Sequence, residues 1–209
     1  MAKLESTFKN MVLSLVIISM VAAGALAGVY TLTAETIAVQ EAQKQKAAIQ
    51  AVLPQGCEIG NPEQSSNGLT IYKATRNGEW IATAVETNEV GFDGPQVIMV
   101  GLDKEGKVLD YVVLKQTETP GLGAHIDHWF KDAIGNRSII GKKADDLKVS
   151  KDGGKIDAIT AATISSRAFL KAIEKAYAAI AAQEVEAATG ATQQQPKEEV
   201  ESNEQLVNE

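Results

Sequence analysis

Hydrophobic side chains follow three successive patterns along this chain, and each predicts a different kind of element. Residues 10–34 carry no charged side chain, and their centre, MVLSLVIISMVAAGALAGVY, is almost wholly apolar. As a helix rising about 1.5 Å per residue, that stretch reaches roughly 37 Å, more than the ~30 Å hydrocarbon core of a bilayer. Strong helix formers over residues 33–53 extend it as a stalk, until Pro54 and Gly56 stop it. Residues 60–68, rich in Asn, Pro, Ser and Gly, read as a loop. Apolar and polar positions then mix as strands do. Residues 69–75 and 80–87 flank Asn77-Gly78, a pair that tolerates positive φ and so predicts a hairpin. Residues 96–102 and 108–114 predict a second hairpin, turned by Asp103 to Gly106. Beyond it the period lengthens. Ile164, Ala168, Ala172, Ala176 and Ile180 form a stripe beside Phe169, Ile173 and Tyr177, which predicts a helix over residues 164–182; residues 125–134 predict a shorter one. Helices therefore segregate from hairpins, and the fold class is α+β, an antiparallel sheet with packed helices, preceded by one N-terminal transmembrane helix.

Charge divides the chain further. Of the net −7, the last 27 residues carry −6, with seven glutamates against the single Lys197. This segment has few large apolar residues to offset the entropy of ordering, and is expected to be an acidic disordered tail. The body is nearly neutral and offers no basic footprint for nucleic acid. With Cys57 as the only cysteine, neither an intramolecular disulfide nor a Cys-rich metal or iron–sulfur site can form from this chain. The expected organisation is a cytoplasmic N-terminus (1–9), a transmembrane helix (10–34), a helical stalk (35–56), a folded domain (57–182) and the tail (183–209). Lys3 and Lys9 before the span, with Glu35 and Glu41 soon after it, fit an N-terminus inside and the domain outside the membrane. A cleaved signal peptide is the competing reading, with Ala25-Leu26-Ala27 as its cleavage site.

Two segments could carry chemistry. In the first, a Gly153-Gly154 turn leads to Asp157, Thr160, Ala161, Ala162 and Thr163, and then to Ser165 and Ser166 at the predicted helix start. Hydroxyls beside unpaired N–H groups and the positive end of a helix dipole suit a phosphate. Helix capping explains the same residues without a ligand. In the second, Glu118, Thr119, Pro120, Gly121, Leu122 and Gly123 follow the last predicted strand. The proline fixes one φ and the glycines admit close backbone approach, so the loop could lie against a flat ligand or could simply turn the chain.

Taken in order, GFDGPQVIMVGLDKEGKVLDYVVL, TETPGLG at residues 117–123 and DGGKIDAITAATISS at residues 152–166 resemble the covalent FMN-binding domain of the G subunit of the Rnf electron-transport complex. A single N-terminal span before the domain resembles that subunit too. The resemblance covers most of residues 4–182 and leaves out the tail. It implies FMN joined by a phosphoester to the last threonine of an Asp-x-x-(Ser/Thr)-Gly-Ala-Thr pattern, attached by a separate flavin transferase that uses FAD. The matching residues are Asp157, Thr160, Ala161, Ala162 and Thr163, with Thr163 as acceptor. Ala161 departs from the usual glycine, and Thr117 stands where the family often has histidine. Glu118 to Gly123 match throughout, and in such domains this segment helps line the flavin pocket. An imported attachment agrees with the chemistry, because a threonine hydroxyl is a weak nucleophile and the motif holds no His or Cys as base.

The implied function is a membrane-anchored redox subunit, not a catalyst by itself, passing electrons among other membrane subunits of an ion-translocating ferredoxin:NAD oxidoreductase. Two alternatives stand beside it: the C subunit of the sodium-translocating NADH:quinone reductase, and an extracytoplasmic scaffold without flavin. His125, His128 and Asp127 fall short of a usual metal-ligand set, so no metal site is expected. Trp80 and Trp129 read as core anchors, with ring stacking as a lesser option for Trp129. Neither a P-loop nor a GxSxG elbow is present.

Overall fold

The structure, a computed structural model, describes residues 7–189. Residues 1–6 and 190–209 lie outside the described residues, and with them Lys3 and most of the expected tail. Helix α1 (Phe8–Val52) is unbroken for 45 residues. It is followed by the short strands β1 (Glu58–Ile59) and β2 (Glu63–Gln64), then β3 (Thr70–Arg76), β4 (Glu79–Val90), β5 (Pro95–Asp103) and β6 (Val108–Lys115). Four 3-10 turns lead to helix α2 (Thr163–Thr189). The pairings among these six strands are all antiparallel, in the order β1-β3-β4-β5-β6, with β2 also on β3.

Both hairpins turn as their residues require. Asn77 and Gly78 take φ of 53° and 79°, and Gly106, at 75°, donates its N–H to the Asp103 carbonyl. Three local expectations need correction. The loop at residues 60–68 contains β2, whose register sets Glu63 opposite Ile71. Helix α2 runs to Thr189, beyond the expected end at residue 182. Residues 125–134 do not form one helix: two 3-10 turns, Gly123–Asp127 and Trp129–Lys131, break at His128, whose φ is −136°. Tyr111 gives the reason. Its buried hydroxyl donates to the Ile126 carbonyl at 2.8 Å, the group an α-helix would offer to the N–H of Phe130. Burial pushes the Tyr111 phenol well above its ordinary pKa, which keeps that donor protonated.

The sheet is covered on both faces. Ile98, Val100 and Leu102 of β5 point toward α2, where Phe169 stacks on Phe130 at 4.7 Å and meets Tyr111 edge-on at 4.8 Å. Met99, between them in sequence, points the other way with Ala74, Ala82 and Ala84, onto Ala48, Ile49, Val52 and Leu53. The period of two thus feeds two cores from one strand. The end of the stalk is core material. Small alanines bring the helix close, and Gly101 completes the approach, since a Cβ there would lie 2.0 Å from the Val52 carbonyl oxygen. Lys44 donates to the Leu114 carbonyl, and the Gln45 amide donates to Glu86, so polar contacts extend the junction up the helix.

Candidate functional site

The site lies where three chain segments meet at the start of α2. The first is the β4–β5 hairpin tip, closed by Gly91 N–H to the Gly94 carbonyl. The second is the loop after β6. Leu122 donates to the Thr119 carbonyl across Pro120 and Gly121, with Gly121 at φ 78°, the residue placement a type II turn asks for. The third is the segment from Asp157 to Ser166.

Glu118 ties them together. It is 5% exposed, and its Oε1 accepts from the Phe92 N–H at 2.9 Å and the Gln96 side-chain amide at 2.8 Å. Its Oε2 accepts from Ser165 Oγ at 2.7 Å, and Gln96 Nε2 also reaches the Ser165 carbonyl at 3.3 Å. A buried carboxylate held by three donors is a rigid brace. The brace leaves one buried acceptor, Gln96 Oε1, without a partner among the described residues. Two glycines make room for it. A Cβ on Gly91 would lie 1.9 Å from Glu118 Oε1, and one on Gly123 would lie 2.4 Å from Oε2. The absent side chain of Gly123 is thus filled by Glu118.

Above this brace opens a cavity of about 270 Å³, bordered by Phe92, Glu118, Thr119, Leu122, Gly123, Ala161, Ala162, Thr163, Ile164 and Ser165. Its walls are mostly apolar. Phe92, Leu122 and Ile164 stand exposed at its edge. On the other side of Thr163 lies a hollow of about 440 Å³, lined by Trp129, Arg137, Ser150, Lys151, Asp157, Ala158, Ile159, Thr160, Ala161 and Thr163. Ala161 and Thr163 border both. A flat apolar ring suits the first space and a charged group the second, with a hydroxyl at their boundary, so the residues present fit a ligand that joins an aromatic ring system to a phosphate.

The hydroxyls of the motif divide by what they touch. Ser166 Oγ is buried, accepts from the Ile159 N–H at 3.0 Å and donates to the Ala162 carbonyl at 2.9 Å. Ser165 is committed to Glu118. Thr160 is exposed and borders the polar hollow alone, whereas Thr163 is half-buried at the first position of α2. Asp157 joins loops: Oδ2 accepts from the Asn136 N–H at 2.9 Å and Oδ1 from Ser150 Oγ at 3.2 Å. Trp129 donates to the Asp157 carbonyl at 2.8 Å and lies under the Arg137 guanidinium at 3.8 Å, which makes it a wall of the polar hollow. His125 and His128 are ring neighbours at 5.2 Å, and no group of three potential metal ligands occurs among the described residues.

Ala161 is the strained member. Its φ is 61°, a left-handed conformation that costs a residue with a Cβ about 1–2 kcal/mol and costs glycine nothing steric. The backbone therefore supplies a reason for glycine at this position. Ala161→Gly is expected to raise stability by about 0.5–1 kcal/mol, read from the denaturation midpoint at unchanged m-value. An equal or lower midpoint would show that the strain is relieved elsewhere.

Of the residues singled out in the sequence, Glu118, Thr119, Leu122, Gly123, Ala161, Ala162, Thr163 and Ser165 border the apolar cavity. Asp157 and Thr160 line the polar hollow. Pro120 and Gly121 shape the turn, and Ser166 lies buried below. Sequence reasoning misses Phe92, Gln96, Ile164 and Lys151 as site residues. The Gly-Phe-Asp-Gly run at residues 91–94 is the available signal for the first of these.

Comparison with known proteins agrees with this geometry. Residues 91–178 match the FMN-binding domain family and residues 1–52 match the RnfG N-terminal region. The G subunit of the ion-translocating oxidoreductase complex of Vibrio cholerae serotype O1 (strain M66-2) is 36% identical over 180 residues, covering 78% of this chain and 86% of the relative. The G subunit of the same complex in Stutzerimonas stutzeri is 36% identical over 157 residues, covering 69% and 68%. That of Methanosarcina acetivorans is 31% identical over 187 residues, covering 84% and 95%. A flavin-suited cavity braced by Glu118, behind an N-terminal helix long and apolar enough to cross a membrane, thus sits in a chain that belongs to the family of G subunits of ion-translocating oxidoreductase complexes.

Proposed function

We propose that this chain is the single-span flavoprotein subunit of an Rnf ion-translocating ferredoxin:NAD oxidoreductase, carrying FMN as a phosphoester on Thr163. The observation that carries the assignment is the placement of one half-buried hydroxyl on the border of an apolar cavity and a polar hollow. Ser165 and Ser166 use their hydroxyls internally, so neither is free to accept a phosphoryl group. When bound, the flavin supplies the electron-carrying chemistry. The protein's residues do the rest: Phe92, Leu122 and Ala162 shield a ring from water, Glu118 holds the cavity walls in register, and Asp157 fastens the neighbouring turn. A separate transferase attaches the group, since a threonine hydroxyl is a weak nucleophile and the motif holds no His or Cys to activate it. The other subunits of the complex exchange electrons with it. The match of residues 1–52 to the RnfG N-terminal region, with the G-subunit relatives, favours the Rnf complex over the C subunit of the sodium-translocating quinone reductase, and a cavity of this composition weighs against a scaffold without flavin.

The same proposal sets α1 across the cytoplasmic membrane, with Lys9 on the inner side and the sheet domain outside. Intact-mass analysis of the chain purified from its native membrane tests both parts together with protease treatment of intact spheroplasts. Full-length mass plus one FMN phosphoryl adduct is expected, with protease cutting the domain in the spheroplasts. An unmodified mass would remove the covalent flavin, and cleavage only after lysis would reverse the topology.

A further inference from the structure

Beside the acceptor hydroxyl stands a cation that the flavin motif does not include. Lys151 lies in the 3-10 turn Ser150–Asp152, and its Nζ donates to Thr163 Oγ1 at 3.3 Å. Among the described residues it makes no ion pair, although its turn is otherwise tightly held. Arg167, one helical turn into α2, grips Asp152 with two bonds of 2.7 and 2.6 Å. Those bonds hold the Asp152 carboxyl below its ordinary pKa and the guanidinium above its own. On the other side Ser150 is bonded to Asp157, within the motif itself. The neighbours of Lys151 are thus anchored to α2 and to the motif, while its ammonium points at the Thr163 oxygen from the polar hollow. The remaining cation of that hollow, Arg137, is taken up by Asp132 at 3.6 Å and by the Trp129 ring.

We propose that Lys151 is the chain's own phosphate-positioning residue for modification of Thr163. The inference rests on the reading of Thr163 as the flavin acceptor. In the transfer, Thr163 Oγ forms a bond to the FMN-side phosphorus of FAD. The bond from that phosphorus to the bridging oxygen breaks, and AMP leaves with that oxygen. The hydroxyl proton passes to a base of the transferase, and no electrons change hands. Before transfer the Lys151 ammonium lies where the pyrophosphate must come; afterwards it balances the single negative charge of the phosphodiester. It also distinguishes Thr163 from exposed Thr160, three residues earlier.

The test uses the full-length chain with a flavin transferase and FAD, following the flavinylated fraction by intact mass at limiting transferase. Lys151→Met keeps the length of the side chain and removes its charge, and should slow labelling about tenfold, the worth of one charge-assisted contact. Lys151→Arg should restore most of the rate. Thermal melts of the unlabelled proteins establish that the variants are folded, and the ³¹P resonance of the labelled chain should move in Lys151→Met. Wild-type labelling at Thr163 with Lys151→Met labelled equally fast and an unmoved resonance overturns this inference alone. A wild-type chain that takes no flavin, or a Thr163→Val chain labelled as fully as wild type, overturns the acceptor assignment and this inference with it.

Discussion

Thr163→Val is expected to give a folded protein with no covalent flavin at all. Valine keeps the β-branched shape at the first position of α2 and deletes only the oxygen that Lys151 reaches. Nothing else in the site depends on that oxygen: the Glu118 brace, the Ser166 bonds and the Asp157 ties are made by other atoms. Stability should therefore change by less than about 1 kcal/mol, while peptide mapping finds the 152–166 segment unmodified and electron transfer through the assembled complex is lost. Thr163→Ser is the informative companion, since it restores a hydroxyl without the methyl. Covalent FMN recovered on residues 152–166 of the valine variant would mean that Thr160 or another hydroxyl is the acceptor.

Gly123→Val should act in the opposite way, through the fold and the cavity while Thr163 stays intact. The first added carbon would lie 2.4 Å from Glu118 Oε2, 2.7 Å from Ser165 Oγ and 3.0 Å from Glu118 Cβ. These contacts cannot be accommodated without moving the carboxylate, and moving it releases the Phe92 N–H, the Gln96 amide and the Ser165 hydroxyl together. Overpacking combined with unsatisfied buried donors costs about 3 kcal/mol, which lowers the melting temperature by roughly 10 °C. The same shift displaces the loop and hairpin that border the cavity, so the bound flavin should show an altered visible spectrum and potential, with turnover reduced. A variant with wild-type melting, spectrum and potential would show that the brace carries neither stability nor tuning.

How far these features could be read in advance depended on how local their causes are. Asn77-Gly78 and the Asp103–Gly106 turn are decided by a few neighbouring residues, so both hairpins were legible. The stripe from Ile164 to Ile180 likewise announced α2. The contact of Gly101 with Val52 joins residues 49 apart and depends on the whole sheet being in register. No local pattern revealed that the end of the stalk serves as a core element. The bond from Tyr111 to Ile126 overrode helical spacing through a partner outside the segment. At the site, the hydroxyl-rich motif and the Glu118–Gly123 loop were recognisable as segments, chiefly by resemblance. Their division of labour was not, because it rests on the paths of Gln96, Phe92 and Lys151 in space. Ala161 illustrates the limit from the other direction: its departure from glycine was visible, but the reason for glycine lay in a backbone angle.

The unbroken course of α1 turns the number of residues in the stalk into an angle. With the span ending near Ala34 as proposed, residues 35–52 rise about 27 Å before Val52 meets the sheet at Gly101. Because the helix runs unbroken into that packed junction, the compass direction in which the cavity opens follows that of the lipid-embedded part of the chain. One inserted residue would lift the domain only about 1.5 Å yet swing the opening through about 100°, away from any partner it had faced. Seven would raise it about 10 Å and return it to within about 20° of its original bearing. Stalk length in this architecture is therefore constrained by phase as much as by height, and deletions or insertions should be tolerated, where they are, in steps close to whole helical turns.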